Sequence, residues 1–252
     1  MKPIGLQLYT LRDLAQKDSI AVLRTVARIG YKGVETAGLY GMKPKEFRKI
    51  VEDLGMQVCS AHMAFPTAEN QNEIIETALG LGIKMVGSGL GPDDFLSRDS
   101  IRAAAQRVQY AQQTLAAKGL VFYLHNHWWE FEPFEDKLGY DYFLESCPKA
   151  WFQIDAYWAA NFGQVDPAKQ VRRFKGRTML LHIKDGNFAR DPAYHVAVGS
   201  GKIDVPAVIQ AADPNVLKWI IVELDECATD MVQAVAESYQ YLVSNGLAAG
   251  TK

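Results

Sequence analysis

Cysteine is scarce in this chain: Cys59, Cys147 and Cys227 are the only three among 252 residues, and no CxxC occurs. An odd, scattered set excludes a disulfide framework and points to a reducing compartment. Long hydrophobic runs are missing too. Nowhere do about eighteen apolar residues follow one another, as a membrane-spanning helix requires. MKPIGLQLYT lacks the basic segment and apolar stretch of a secretory signal. A cytoplasmic protein with no membrane partner is therefore expected. Charge of one sign is absent as well: 27 Lys and Arg stand against 29 Asp and Glu, with a net charge of -2 and no long run of either. That balance gives no general platform for nucleic acid or an anionic surface, and it suits a small substrate that is neutral or weakly charged.

What is present is an alternation of short apolar runs with segments of helical period, in a composition of 48% hydrophobic and 22% charged residues. IGLQLY, KGVET, MQVCSAH, KMVGSGL, LVFYLH, WFQID, TMLLHIKD and WIIVEL read as buried strands. Helices are expected between them. One runs from about Ser19 to Ile29, and the next carries Phe47, Ile50, Val51 and Leu54 on one face. An Ala-rich helix spans about Ser100 to Ala117, and the last about Asp230 to Leu242. Gly30, Gly55, Gly82 and Gly119 stand where helices end, positions at which glycine can adopt the left-handed conformation that closes a helix. Runs apolar on both faces, such as WIIV and TMLL, suit a parallel sheet covered by helices. Eight such units predict an α/β fold, a (β/α)8 TIM barrel forming one domain over residues 1–252. The doubly wound alternative lacks its fingerprint: no GxGxxG follows the first strand, and no GxxxxGK[ST] occurs.

Chemistry in such a barrel sits at the carboxyl ends of the strands, so the residues that end each apolar run are the informative ones. Strand one ends at Gln7 and Tyr9, strand two at Glu35, strand three at His62, and strand five at His125 and His127. Strand six ends at Asp155, strand seven at His182 and Lys184, and strand eight at Glu223, with Asp225 beyond. Four of the five histidines fall in this set, and His195 is expected in a loop. Any one of these polar groups alone reads as a hydrogen-bonded structural residue. Burying several together at the ends of apolar strands costs several kcal/mol unless they are paired or coordinated. Asp155, His182 and Glu223 come from successive strands and form the ligand set for one divalent cation, Mn2+, Mg2+, Co2+ or Zn2+. Tyr123, His125 and His127 share a face, which makes His125 the fourth ligand and puts His127 one step nearer the mouth. Glu35 and Lys184 are candidates for an ion pair or for substrate contact. Trp128, Trp129 and Trp158 could stack on a sugar or plug the mouth. Trp219 should lie at the opposite end.

The ordered set IGLQLYTLRD, GVET, SAH, YLHNHWWEFE, QIDAYW, LLHIKDG, GSGKIDVPAVI and IVELDE resembles the xylose isomerase-like superfamily, the sugar phosphate isomerase/epimerase group, over nearly the whole chain. The resemblance implies one divalent metal held by Glu, Asp, His and Glu from strands five to eight. Asp155, His182 and Glu223 match directly. At the strand-five carboxylate position stands His125, the favoured ligand, with Glu130 five residues on or a water molecule as the alternatives. The implied activity is a metal-dependent sugar isomerase or epimerase working by proton abstraction beside a carbonyl. Catalytic roles then fall to Glu223, with His127 or Glu130 as acid/base and Lys184 stabilising the oxyanion. Glu35, His62 and Trp158 would bind the carbohydrate, the expected small-molecule partner. A dehydratase or lyase of keto-inositols or 3-keto-glycosides is the runner-up. An apurinic-site endonuclease and a metal-free sugar-binding barrel are weaker readings. Relatives often form homo-oligomers, though no interface is identified in this sequence. The loop from Gly199 to Asp204 could bind an anion through backbone N–H groups, or simply turn into helix seven with Asp204 as its cap.

Overall fold

Strands that are apolar on both faces need cover on both, and closing the sheet on itself supplies it. The computed structural model of the protein describes residues 1–190 and 195–252. Its eight barrel strands are β1 (Lys2–Gln7), β2 (Gly33–Thr36), β3 (Gln57–His62), β4 (Met85–Gly89), β5 (Val121–His125), β6 (Trp151–Asp155), β7 (Thr178–Ile183) and β8 (Trp219–Val222). All neighbours are parallel. β8 pairs back onto β1, with Ile4 opposite Ile220 and Leu6 opposite Val222, so the expected (β/α)8 barrel is closed. The principal helices around it are α1 (Arg12–Ile29), α2 (Pro44–Asp53), α3 (Gln71–Leu81), α4 (Arg98–Ala116), α5 (Gly139–Ser146), α6 (Pro167–Phe174), α7 (Val205–Ala211) and α8 (Met231–Ser244).

Side-chain parity assigns each strand residue to one of two environments. Ile4, Leu6, Phe122, Leu124, Ile220 and Val222 point outward into the layer shared with the helices. Each such fully buried side chain contributes about 1.5–3 kcal/mol. Their neighbours point into the barrel, where Cys59, Tyr123, Met179, Leu180 and Ile221 form an inner plug with Trp219 packed against it. Trp219 opens β8 and so marks the amino-terminal end, as expected from its position. Tyr123 crosses the interior only because β4 has glycine opposite: a Cβ on Gly87 would lie 2.2 Å from the Tyr123 ring.

Two boundaries differ from the sequence reading. β1 stops at Gln7, and Tyr9 belongs to a 3-10 turn, Leu8–Leu11, where it is 43% exposed. Gln7 itself ends the strand, because its side chain accepts from Tyr9 N–H at 3.1 Å. Helix α1 begins at Arg12 but breaks at Asp18, whose φ of -154° is not helical. Asp18 Oδ1 accepts from Ala21 N–H at 2.8 Å, so the helix expected from Ser19 is the second half of a kinked one. Gly82 closes α3 in the left-handed conformation, at φ 71°. Among the described residues no helix is long and apolar enough to cross a membrane.

Candidate active site

Above the plug, the inward positions turn polar, and the lowest polar residue is Glu35. It has no exposed surface. Its Oε1 accepts from Gln7 Nε2 at 2.8 Å and lies 2.5 Å from His182 Nε2. Its Oε2 accepts from Ser60 Oγ at 2.5 Å, Tyr123 OH at 2.8 Å and Gln153 Nε2 at 2.8 Å. Burial alone would raise the carboxyl pKa, but the attraction of His62 and His182 and the donated hydrogen bonds outweigh it, lowering it to about 2.

This layer sets the direction of the imidazoles above it. Gln153 gives its Nε2 to Glu35, so its Oε1 can only accept. It does so from His62 Nε2 at 2.6 Å and His125 Nδ1 at 3.1 Å. His125 therefore carries its proton on Nδ1 and keeps Nε2 as a lone-pair donor. Glu35 likewise engages His182 Nε2, and His182 Nδ1 faces Glu223 Oε2 at 2.8 Å and Asp155 Oδ2 at 3.9 Å. His125, Asp155, His182 and Glu223 are all buried, and one donor atom from each lies within 4.8 Å of the others. Two imidazoles and two carboxylates suit a borderline divalent ion, and carboxylate or amide partners behind the histidines are the usual support for one. Asp155 Oδ2 is buried without a well-formed hydrogen bond, although Lys184 Nζ lies 3.0 Å away. A donor atom in that state also fits a cation site.

Lys184 is buried among three carboxylates: Asp155, Glu223 Oε2 at 2.8 Å and Asp225 Oδ2 at 2.8 Å. Burial works against its charge, but Asp155, Asp225 and Glu223 more than compensate and raise its pKa. Trp158 donates from Nε1 to Asp225 Oδ2 at 3.2 Å and lies under the ammonium, 5.3 Å from ring centre to Nζ. Burial also favours the neutral carboxyl at Asp155, lifting it to about 6 against the pull of Lys184 and His182. Glu223 is likewise opposed by burial, yet Lys184 and His182 hold it well below the usual carboxylate range.

A cavity of about 420 Å³ opens over these groups, lined by His62, His125, His127, Trp128, Trp129, Trp158, Lys184, Glu223 and Asp225. His127 stacks on Trp129, with ring centres 4.2 Å apart, and burial followed by the Lys184 charge lowers it to about 4. The structure thus brings together the sequence candidates His62, His125, His127, Asp155, Trp158, His182, Lys184 and Glu223. Two candidates stand elsewhere. Glu35 is sealed beneath the histidines with both oxygens engaged, so the expectation of a substrate contact does not fit its position. Glu130 is fully buried outside the ligand group and the cavity lining. Its Oε2 accepts from His127 N–H at 2.9 Å, tying the turn that carries His127, and burial raises its pKa well above the usual range.

Gln153 and Ser60 are not marked by the strand-end pattern, and Tyr123, expected on the inward face with His125, joins them beneath the site. Gln153 and Tyr123 stand two residues before Asp155 and His125, on the same inward face, and a glutamine inside WFQID was the available signal. His195 is buried in a short strand, His195–Val196, and its Nδ1 accepts from Asp225 N–H at 3.0 Å. The loop from Gly199 to Asp204 already has its anion. Asp185 Oδ2 accepts from Gly199 and Gly201 N–H, and Oδ1 from Gly186 and Ile203 N–H. Asp204 caps α7 through Ala207 N–H at 3.0 Å.

Residues 23–244 match the xylose isomerase-like TIM barrel family. The chain belongs to that family. Several solved structures share its architecture. A sugar phosphate isomerase/epimerase from Parabacteroides distasonis ATCC 8503 is 26% identical, with a TM-score of 0.80 over 98% of this chain and 96% of that one. An L-ribulose 3-epimerase is 19% identical, with a TM-score of 0.68 over 98% and 95% of the two chains. The IOLI protein, whose structure has a zinc atom bound, is 15% identical, with a TM-score of 0.73 over 97% of each chain. No curated protein sequence matches this xylose isomerase-like chain.

Proposed function

We propose that the protein is a divalent-metal-dependent sugar isomerase or epimerase that removes a proton next to a carbonyl. The convergence of His125, Asp155, His182 and Glu223 beneath a tryptophan-lined cavity carries this reading, and membership of the family supports it. A bound divalent ion would act as a Lewis acid toward adjacent carbonyl and hydroxyl oxygens, making the C–H between them acidic. Glu223, kept ionised by the Lys184 ammonium 2.8 Å away, is the proton acceptor in the cavity. The Lys184 ammonium stabilises oxygen charge in the enediolate. His127, neutral at pH 7 and with its ring centre 5.2 Å from that of His125, lines the cavity and can pass a proton to or from the sugar. His62 donates from Nε2 to Gln153, leaving Nδ1 to accept from a hydroxyl. Trp128 and Trp158 offer ring faces, with centroids 5.0 Å apart.

A second reading, a dehydratase or lyase of keto-inositols or 3-keto-glycosides, is favoured by one observation. Strand five offers imidazole where a pair of opposed glutamates would need carboxylate, and Glu130 does not take its place. Both reactions begin with the same deprotonation and then diverge. Proton return gives epimerisation or isomerisation, whereas loss of a β-oxygen substituent gives elimination.

Incubating ketoses, keto-inositols and 3-keto-glycosides in D2O with Mn2+ tests both readings. Deuterium in recovered or rearranged sugar is expected for the first, and a dehydrated or cleaved product for the second. Glu223→Gln should reduce either by at least about a hundredfold. Full activity in that variant, or turnover insensitive to chelation, would overturn the proposal.

A further inference from the structure

A second cavity, of about 480 Å³, lies beside the first, and the two share Ala37, His62 and Met63 as a common wall. Either volume alone falls within the range that holds a small ligand, about 300–1,000 Å³. A free monosaccharide over the ligand group would leave the annex empty. The annex is floored by α3 and the ends of β2 and β3, with small residues where the chain passes and Leu39, Ile74 and Leu81 as its apolar surface.

Its polar side chains are mostly engaged elsewhere. Asn70 accepts from Thr67 N–H and donates to Phe65 O, and Thr36 Oγ1 donates to Gly38 O. That leaves Thr77 and, as the one charged residue, the acidic Glu73. Cationic groups are equally sparse. Among the described residues no arginine lines either cavity, and the one lysine, Lys184, is already balanced by Asp155, Glu223 and Asp225. A phosphate carried into the annex would meet no cationic side chain and would face the Glu73 carboxylate, a like-charge contact that disfavours it.

Building on the sugar reading of the main cavity, we propose that the natural substrate is an unphosphorylated ketosugar bearing a second, uncharged and largely apolar group. The sugar sits over His125, Asp155, His182 and Glu223, and its substituent crosses the Ala37–His62–Met63 wall into the annex. Specificity for the substituent comes from Leu39, Ile74 and Thr77, on elements that contribute nothing to the ligand group. The two functions of the site are thereby carried by opposite halves of the barrel.

The test compares phenyl 3-keto-β-glucoside with free 3-keto-glucose and 3-keto-glucose 6-phosphate, on wild type and on Thr77→Trp and Ala64→Phe, two substitutions that fill the annex from partly exposed positions. Turnover is followed in D2O with Mn2+, and binding of the phenyl compound by saturation-transfer NMR. The expected result is a kcat/KM for the phenyl glycoside at least tenfold above that of the free sugar and well above that of the phosphate. Both variants should reduce that preference at least tenfold and lose the NMR signal from the phenyl ring. Equal kcat/KM for glycoside and free sugar, preference for the phosphate, or a phenyl signal unchanged in both variants overturns the proposal. Phenyl binding that is sensitive to Thr77→Trp, without exchange of any sugar, supports the annex and instead removes the reading of the main cavity.

Discussion

Glu35 receives hydrogen bonds from four neighbours and faces His182 Nε2, yet has no exposed surface. A carboxylate is the one side chain of this size that can accept from all of them, because it has only acceptor sites. Glu35→Gln keeps the shape but turns an NH2 toward groups that already donate. Breaking a buried charged pair from one side costs on the order of 3–5 kcal/mol. The substitution also frees the His182 ring, and loss of a ligand's supporting partner weakens metal binding by about 10–100-fold. Glu35→Gln is therefore expected to lower the urea midpoint and, at a temperature where circular dichroism reports a fully folded chain, to weaken Mn2+ binding within that range. Wild-type affinity in the folded variant would mean that Glu35 is a stabilising residue with no part in orienting His182.

Asp185 does for a loop what Glu35 does for a ring. Its two oxygens collect four backbone N–H groups from Gly186, Gly199, Gly201 and Ile203, and a Cβ on Gly201 would lie 2.1 Å from Oδ1. Asp185→Asn exchanges an acceptor oxygen for a donor facing two donors. Hydrogen bonds to a charged group are worth about 1.5–3 kcal/mol each, so amide exchange at Gly199, Gly201 and Ile203 should accelerate at least tenfold while Ile220 and Ile221 in β8 keep their protection. Equal protection in wild type and variant would remove Asp185 as the loop's organiser. Local sequence could not show this arrangement, because GSGKID advertises an anion site without saying that the anion is a residue of the preceding strand end. The strands themselves were legible, since cover on both faces makes their apolar runs continuous. His125 was legible from parity alone. The depth of Glu35 and the part played by Gln153 were not legible, for one geometric reason. Strands in a tilted barrel are staggered, so the last polar residue of one strand lies a layer below that of another, and sequence gives parity but not height.

The site belongs to the barrel as a whole. Its four candidate ligands come from β5 to β8 or the residue just beyond, whereas Gln7, Glu35, Ser60 and His62, which support or flank them, come from β1 to β3. An unfolded chain cannot bring these together, so a cation that uses the site binds the closed barrel and not the open chain. Such linkage stabilises the folded state by about 2.7 kcal/mol at a concentration one hundred times Kd. For a chain of this length, 1 kcal/mol corresponds to about 2–4 °C in Tm. Saturating Mn2+ is therefore expected to raise Tm by roughly 5–10 °C over the chelator-treated protein. Asp155→Asn should reduce that rise to within about 1 °C, because the two carboxylates of the ligand group are then one, while an exposed pair such as Lys49 with Asp53 can be neutralised without effect on it. Differential scanning calorimetry with and without Mn2+ on these three proteins decides the matter. A rise of the same size in Asp155→Asn would mean that the ion binds elsewhere on the surface and that the four buried residues form a polar network of the apoprotein alone.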